Sequence, residues 1–99
     1  MRETDLPVSD AAKTQVEICN NKGLHARASA KFVKLASGFD AQIYVNKDDN
    51  HVDAQSIMGL LMLAAAKGST IEIEAEGPQA AEAVAALVEL VNNRFDEDA

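Results

Sequence analysis

The chain has 99 residues, of which 47% are hydrophobic and 25% are charged, as expected for one folded domain. Sixteen acidic residues against nine basic residues give a net charge of −7. Binding to nucleic acid or to an anionic membrane surface normally needs a basic face, so this charge disfavours both partners. A chain of this length buries roughly 60–70% of its unfolded surface, which allows one core but no large enclosed active-site cavity.

Cys19 is the only cysteine, so an internal disulfide is excluded, which is typical of a reducing compartment. The longest apolar run, residues 57–66, is much shorter than the ~20 residues of a membrane helix. Residues 1–5 lack the charged-then-apolar order of a secretion signal. We therefore expect a cytoplasmic protein with no membrane insertion.

The first part of the chain predicts a strand and a helix. Residues 1–12 have no sustained periodicity and are expected to form a flexible lead-in to a domain at 13–95. Polar and apolar residues alternate at 14–19, which predicts a half-buried strand. After a polar, glycine-containing turn, apolar side chains at helical spacing predict a helix over 26–37, with Gly38 as its C-terminal cap.

The middle of the chain predicts a hairpin, a second helix and a fourth strand. Strands at 42–45 and 51–54 are joined through a four-residue polar loop at 47–50. Ser56 suits the N-cap of a helix over 56–66, because its hydroxyl can accept a hydrogen bond from an early backbone N–H. Alternation over 70–75 then indicates another strand.

Gly77 and Pro78 interrupt the chain before a third helix over 79–92, and residues 96–99 are expected to be a frayed acidic tail. The element order is therefore βαββαβα. Half-buried strands need one covered face. This order predicts an α+β fold, a two-layer open-faced sandwich in which three helices cover one face of a four-stranded antiparallel sheet.

His25 lies where the glycine-containing turn meets the first helix. The N-terminus of a helix has unpaired backbone N–H groups and about half a positive charge, so it attracts anions. The same charge disfavours an imidazolium, and a neutral imidazole keeps the lone pair of a nucleophile. A phosphoryl group on His25 would lie against the N–H groups of Ala26 and Arg27. The alternative is an ordinary polar capping residue.

Basic side chains follow His25 on the same helix. Arg27, Lys31 and Lys34 share one face, at spacings of four and three residues. The guanidinium of Arg27 offers a planar set of donors that suits a phosphate. The stripe as a whole suits an acidic partner.

Other kinds of site are disfavoured. Cys19, His25 and His51 do not have the spacing of zinc ligands. The sequence has no phosphate-binding loop, dinucleotide fingerprint or serine-hydrolase motif. A nucleophilic pair of Cys19 with His25 has no further support, so Cys19 is interpreted as a small semi-buried side chain and His51 as a surface residue. We predict no cofactor and no metal.

Two segments resemble the signatures of a known family. Residues 23–27 (GLHAR) resemble the phosphorylation-site signature of HPr, the histidine phosphocarrier of the phosphoenolpyruvate-dependent phosphotransferase system. Residues 56–60 (SIMGL) resemble the second HPr signature, and the resemblance extends over about residues 14–95. The family usually has proline where this chain has Ala28, so we expect a slightly looser start of the first helix.

The resemblance implies a stoichiometric phosphoryl carrier rather than an enzyme. Enzyme I, phosphorylated by phosphoenolpyruvate, would pass its phosphoryl group to Nδ1 of His25. The carrier, expected to be a monomer, would then pass the group to an enzyme IIA-type domain. Arg27 and the backbone N–H groups of Ala26 and Arg27 would balance the charge of the phosphate.

Ser56 has a second implied role. In one branch of the family the matching serine is phosphorylated by an HPr kinase/phosphorylase, which is therefore a further candidate partner. Regulated members often have lysine where this chain has Gln55. The alternative is that Ser56 serves only as an N-cap.

The second helix is apolar on nearly all sides, and a domain this small cannot bury all of it. The resemblance identifies Ile57, Met58 and Leu61 as an exposed docking patch beside His25, and the basic residues Lys31 and Lys34 would contribute to docking. The alternative is that the apolar residues all belong to the core.

Two questions of function stay open. A non-catalytic regulatory module of the same fold would act by binding partner proteins, although it has no need of the His25–Arg27 pair. Within the carrier interpretation, residues 60–63 and 95–98 resemble the nitrogen-related branch of the family, whereas residues 56–59 resemble ordinary HPr. Sugar uptake and nitrogen-related regulation are therefore both retained.

Overall fold

Four strands form one antiparallel sheet in the order β1-β4-β2-β3 in the computed structural model, which describes residues 11–99. The strands are β1 (Ala11–Glu17), β2 (Gln42–Lys47), β3 (Asn50–Asp53) and β4 (Thr70–Glu76). In β4, Ile71, Ile73 and Ala75 are buried, whereas the four residues that alternate with them are not. One face of the sheet is therefore apolar and covered, as the alternation in the sequence predicts.

Three helices pack on the apolar face: α1 (Ala26–Ala36), α2 (Ile57–Met62) and α3 (Ala80–Asn92). A single 3₁₀ turn (Arg94–Asp96) follows α3. The predicted α+β sandwich with the order βαββαβα is confirmed. Side chains from both layers meet in one core, whose largest fully buried members are Phe32, Phe95, Ile18, Ile43, Leu60, Leu63, Ile71, Ile73 and Leu87. None of the helices within residues 11–99 is long and apolar enough to cross a membrane.

The first strand begins earlier than predicted. Ala11 and Ala12 pair with Glu76 and Ala75 of β4, so they belong to the sheet and not to the lead-in. Backbone pairing needs no apolar alternation, and β4 is long enough to offer these partners. The rest of the predicted lead-in, residues 1–10, lies outside the described residues.

The hairpin is also tighter than predicted. Lys47 pairs with Asn50, which leaves a turn of only Asp48 and Asp49 in place of the expected four-residue loop. Asp48 has a φ of +54°. Aspartate is one of the few residues that tolerates this left-handed conformation, so the polar residues at 47 and 50 can extend the two strands.

The second helix ends at Met62, not at Ala66 as predicted. Ala64 has a φ of +51°, which takes the chain out of the helix. The carbonyl oxygen of Ala65 then accepts a hydrogen bond from the N–H of Leu24 at 2.9 Å. Gly23 has a φ of +65°, and a Cβ there would lie 2.5 Å from that same carbonyl oxygen. The early end of α2 therefore supports the loop that precedes His25, and only glycine fits at position 23.

The C-terminal segment is not a frayed tail. Arg94, Phe95 and Asp96 all have positive φ values, of 57°, 52° and 65°, and together form a left-handed turn. The Phe95 side chain is fully buried, and the turn that carries it lies against α1 and α3. Burial of this ring offsets the cost of the left-handed backbone and directs the residues after it back towards the start of α1.

Candidate functional site

His25 is the N-cap residue of α1, with extended backbone angles (φ −79°, ψ −176°). Its carbonyl oxygen accepts the hydrogen bond from Ser29 N–H at 2.8 Å that closes the first turn. The N–H groups of Ala26, Arg27 and Ala28 lie in the first turn, where a helix offers no backbone acceptor, and no backbone hydrogen bond within residues 11–99 engages them. The predicted junction of a glycine turn with a helix N-terminus is therefore present, with donors next to the histidine.

The imidazole of His25 contacts a carboxylate from the other end of the chain. Its Nε2 lies 2.5 Å from Oε2 of Glu97, and the two side chains are 25% and 14% exposed. Nδ2 of the buried Asn20 donates to the second oxygen of Glu97 at 3.0 Å and to the carbonyl oxygen of Gly23 at 2.8 Å. The structure gives Nδ1 of His25 no hydrogen-bond partner within residues 11–99.

Glu97 is an ionised group in this setting. Burial opposes its ionisation, but the hydrogen bonds from Asn20 and His25, together with electrostatic attraction from the His25 ring and from Lys22, outweigh that effect. The pKa of the Glu97 carboxyl therefore lies below its ordinary value. Glu97 is not among the site residues predicted from the sequence, because an acidic residue in a charged C-terminal run resembles a solvated tail.

The basic residues of α1 have different environments. Arg27 is exposed and lines a depression of about 400 Å³, together with Lys22, Lys31 and residues 96–99. Lys31 donates to the carbonyl oxygen of Phe95 at 2.8 Å. Lys34 is exposed in the last turn of the helix. The predicted basic face is present, but Lys31 is bound to the C-terminal segment.

A second depression lies next to His25, beside the end of the second helix. His25, Leu24 and Leu61 line a depression of about 290 Å³, together with Lys22 and residues 64–66. Leu61 of the predicted patch therefore lies beside the histidine.

The residues of α2 and its C-cap differ in their exposure to solvent. Ile57 is 40% exposed, Met58 67% and Met62 76%, whereas Leu60 and Leu63 are buried in the core. Two residues of the predicted patch, Ile57 and Met58, are thus exposed, and the third, Leu61, is half-buried. Met62 was not included in the prediction, although its spacing of four residues from Met58 indicated the same helical face. We call Ile57, Met58, Leu61 and Met62 the α2 patch.

Ser56 is the N-cap of α2, as its position predicts. Its Oγ accepts a hydrogen bond from the N–H of Gly59 at 2.9 Å, and the residue is half-buried. The structural role of the hydroxyl is therefore clear.

Neither Cys19 nor His51 extends the site. Cys19 is half-buried and donates through Sγ to the carbonyl oxygen of Val91 at 3.3 Å, in agreement with its interpretation as a packing residue. His51 is exposed on the hairpin, where its ring stacks on Tyr44 with centroids 4.5 Å apart. In the described part of the chain, no group of three or more His, Cys, Asp or Glu side chains is placed to bind a metal ion.

The model of one protein family, described as the PTS HPr component phosphorylation site, matches residues 12–93. The chain belongs to the HPr family. Among its HPr-type relatives, the phosphocarrier protein HPr of Neisseria meningitidis serogroup A is 53% identical over 85 residues, which cover 86% of this chain and 96% of the relative. The phosphocarrier protein NPr of Escherichia coli K12 is 48% identical over 87 residues, or 87% and 97% of the two chains.

Solved HPr structures have the same fold. The crystal structure of HPr-C-His from Thermoanaerobacter tengcongensis has a TM-score of 0.85 and 43% identity, covering 89% of this chain and 99% of the other. A crystal structure of an HPr dimer from that organism has a TM-score of 0.70 and 41% identity, with 98% and 100% coverage. The HPr-like fold predicted from the sequence is therefore confirmed, and the chain is a phosphocarrier-family protein of the phosphotransferase system.

Proposed function

We propose that the protein accepts a phosphoryl group from phospho-enzyme I on Nδ1 of His25 and passes it to an enzyme IIA-type domain. The observation that supports this most strongly is the position of His25. A partly exposed imidazole stands at the N-cap of α1, next to first-turn N–H groups that no other backbone group engages. The matched family is described by its phosphorylation site, and residues 23–27 resemble that site.

The reaction is an in-line displacement. The lone pair of Nδ1 forms a bond to phosphorus while the bond from phosphorus to the donor histidine breaks, and the electron pair of that bond returns to the donor ring. The N–H groups of Ala26 and Arg27 and the exposed guanidinium of Arg27 supply donors for the phosphate oxygens. The carrier is consumed and regenerated in stoichiometric steps, so it is not an enzyme by itself.

The test is transfer of label from phosphoenolpyruvate through enzyme I. We expect an acid-labile, base-stable label on the wild type and on His51→Ala, and none on His25→Ala. His51→Ala is the matched control, because it removes the other histidine from an exposed site away from α1. Circular dichroism should show that all three proteins are folded.

Two outcomes would contradict the proposal. The absence of label on folded wild type, with enzymes I from several sources, would favour the non-catalytic docking module. Label on His25→Ala would mean that another residue accepts the phosphoryl group.

The α2 patch is the proposed docking surface for enzyme I and enzyme IIA. Its methionines offer flexible, exposed apolar area, and Leu61 lines the same depression as His25. Arg27 and Lys34 add exposed positive charge on the neighbouring helix, which suits an acidic partner surface. A partner bound to both helices would therefore reach the histidine.

The branch of the phosphotransferase system is tested by the acceptor. The HPr relative and the NPr relative differ little in identity to this chain, so both branches are retained. Phosphorylated protein should be offered to a sugar-type and a nitrogen-type enzyme IIA, and the faster acceptor identifies the branch.

Because phosphoenolpyruvate is a cytoplasmic metabolite, the proposed reaction takes place in the cytoplasm. The carrier is proposed to act as a monomer, which sedimentation at working concentration will test.

Phosphorylation of Ser56 by an HPr kinase/phosphorylase is a second candidate function. The hydroxyl stands at a helix N-cap, where a phosphate is electrostatically acceptable, but its Oγ already accepts from Gly59. Incubation with such a kinase and ATP should label the wild type and not Ser56→Ala. The absence of label on the wild type would leave Ser56 with the capping role alone.

A further inference from the structure

Glu97 is held against His25 by a hydrogen bond from Asn20 and by the anchored backbone that precedes it. Its two carboxylate oxygens have different partners, Nε2 of His25 and Nδ2 of Asn20. Asn20 is fully buried, and its amide orientation is set because the same Nδ2 also donates to the carbonyl oxygen of Gly23. The buried ring of Phe95 and the Lys31 hydrogen bond to its carbonyl oxygen anchor the backbone two residues before Glu97.

We infer that Glu97 is a positioning residue that keeps a proton on Nε2 of His25 and thereby leaves the lone pair on Nδ1. An ionised carboxylate can only accept hydrogen bonds, so a contact of 2.5 Å with Nε2 requires hydrogen on that nitrogen. Nδ1, which has no partner within residues 11–99, is then the nucleophilic atom of the neutral ring. The consequences for phosphoryl transfer rest on the proposed function, but the choice of tautomer does not.

The same contact acts on the phosphorylated ring. After Nδ1 bonds to phosphorus, the ring carries phosphorus on Nδ1 and hydrogen on Nε2, and it has a positive charge. The carboxylate of Glu97 lies against the protonated nitrogen and compensates this charge. When the phosphoryl group is passed on, the Nδ1–phosphorus bond breaks and its electron pair stays on Nδ1, so a neutral imidazole leaves. Glu97 therefore favours loading by compensating the charge of the ring, and on unloading it lets a neutral imidazole leave by keeping hydrogen on Nε2.

The neighbouring charges do not share this role. Asp96 is 66% exposed and lies 3.8 Å from Lys31. Asp98 is exposed, and its backbone carbonyl oxygen accepts a hydrogen bond from Arg94 at 3.2 Å. Lys22 approaches Glu97 as a positive charge. Asp98→Asn is thus a matched control, since it removes one negative charge from the residue next to Glu97 without changing the contact with His25.

The first experiment measures the unphosphorylated protein. Histidine labelled with ¹⁵N shows by NMR which ring nitrogen bears hydrogen, at a pH where the ring is neutral. We expect a slowly exchanging proton on Nε2 of His25 in the wild type and in Asp98→Asn. In Glu97→Ala, this proton should exchange rapidly and the Nδ1–H form should increase. An unchanged Nε2 proton in Glu97→Ala, or an equal loss in Asp98→Asn, would overturn the inference.

The second experiment measures phosphoryl transfer with the same proteins and with Glu97→Gln, which preserves the size of the side chain and removes its charge. Loss of one charge-assisted hydrogen bond should slow transfer roughly 10- to 100-fold in Glu97→Ala and Glu97→Gln. Asp98→Asn should transfer at the wild-type rate. Equal rates in all four proteins would refute the role in transfer. If the wild type accepts no label at all, the proposed function fails. The NMR experiment still decides whether Glu97 keeps the proton on Nε2 of His25.

Discussion

Replacing Phe95 with alanine should release the segment that brings Glu97 to His25. The side chain of Phe95 is fully buried, the turn that carries it lies against α1 and α3, and Phe95 is the middle one of three consecutive left-handed residues. Truncation of a buried phenylalanine costs about 3–5 kcal/mol. Relief of left-handed strain as the segment detaches offsets part of this cost, so we expect a loss near the lower limit, about 3 kcal/mol.

Urea unfolding followed by circular dichroism measures this loss, and for a domain of this size it corresponds to a fall in Tm of about 12–24 °C. The same variant should lose the slowly exchanging Nε2 proton of His25, because Glu97 is no longer anchored. Phe39→Ala is the control: Phe39 is half-buried at the far end of α1, so its truncation should lower stability and leave the His25 proton in place.

A loss below about 1 kcal/mol in Phe95→Ala, with the His25 proton unchanged, would refute this reasoning. It would mean that the buried ring does not anchor the segment and that Asn20 alone holds Glu97. Equal loss of the proton in Phe39→Ala would mean that the contact reports global stability and not the local anchor.

Three further outcomes are expected. Gly23→Ala should lower Tm strongly, because the new Cβ would meet the Ala65 carbonyl oxygen at 2.5 Å in a left-handed conformation; an unchanged Tm in a thermal scan would contradict this. Met58→Ser should raise the KM for enzyme I and leave the free energy of unfolding within about 0.5 kcal/mol of the wild-type value. The control is Ala85→Ser at an exposed position of α3, which should change neither quantity, and an unchanged KM for Met58→Ser would argue against the α2 patch. Because folding lowers the pKa of Glu97, the ionised side chain should contribute its full stabilisation above the ordinary pKa of 4.5, and this contribution should disappear as the pH falls through the pKa of the folded state. Urea unfolding at several pH values tests this, and a stability difference between wild type and Glu97→Gln that grows towards acid pH would contradict it.

The strands and the first and third helices could be predicted because their signals are local. In β4, the alternation of isoleucine and glutamate indicates which face is buried, and this signal does not depend on the partner strand. The end of α2 could not be predicted in this way. The residues at 61–66 all favour a helix, but the carbonyl oxygen of Ala65 pairs with Leu24, from a distant part of the chain. The tertiary hydrogen bond outweighs a propensity of a few tenths of a kcal/mol per residue.

The position of His25 at the start of a helix was determined locally, by the turn at Gly23 and the amphipathic residues that follow. The carboxylate that contacts its imidazole was not determined locally. Glu97 is 72 residues away along the chain, in a charged stretch with no periodicity. Only packing of the whole domain, with Phe95 in the core and Asn20 behind the carboxylate, brings the two side chains together. Local sequence therefore specifies where the proposed nucleophile stands, whereas the folded domain supplies the carboxylate that we infer to keep its Nε2 protonated.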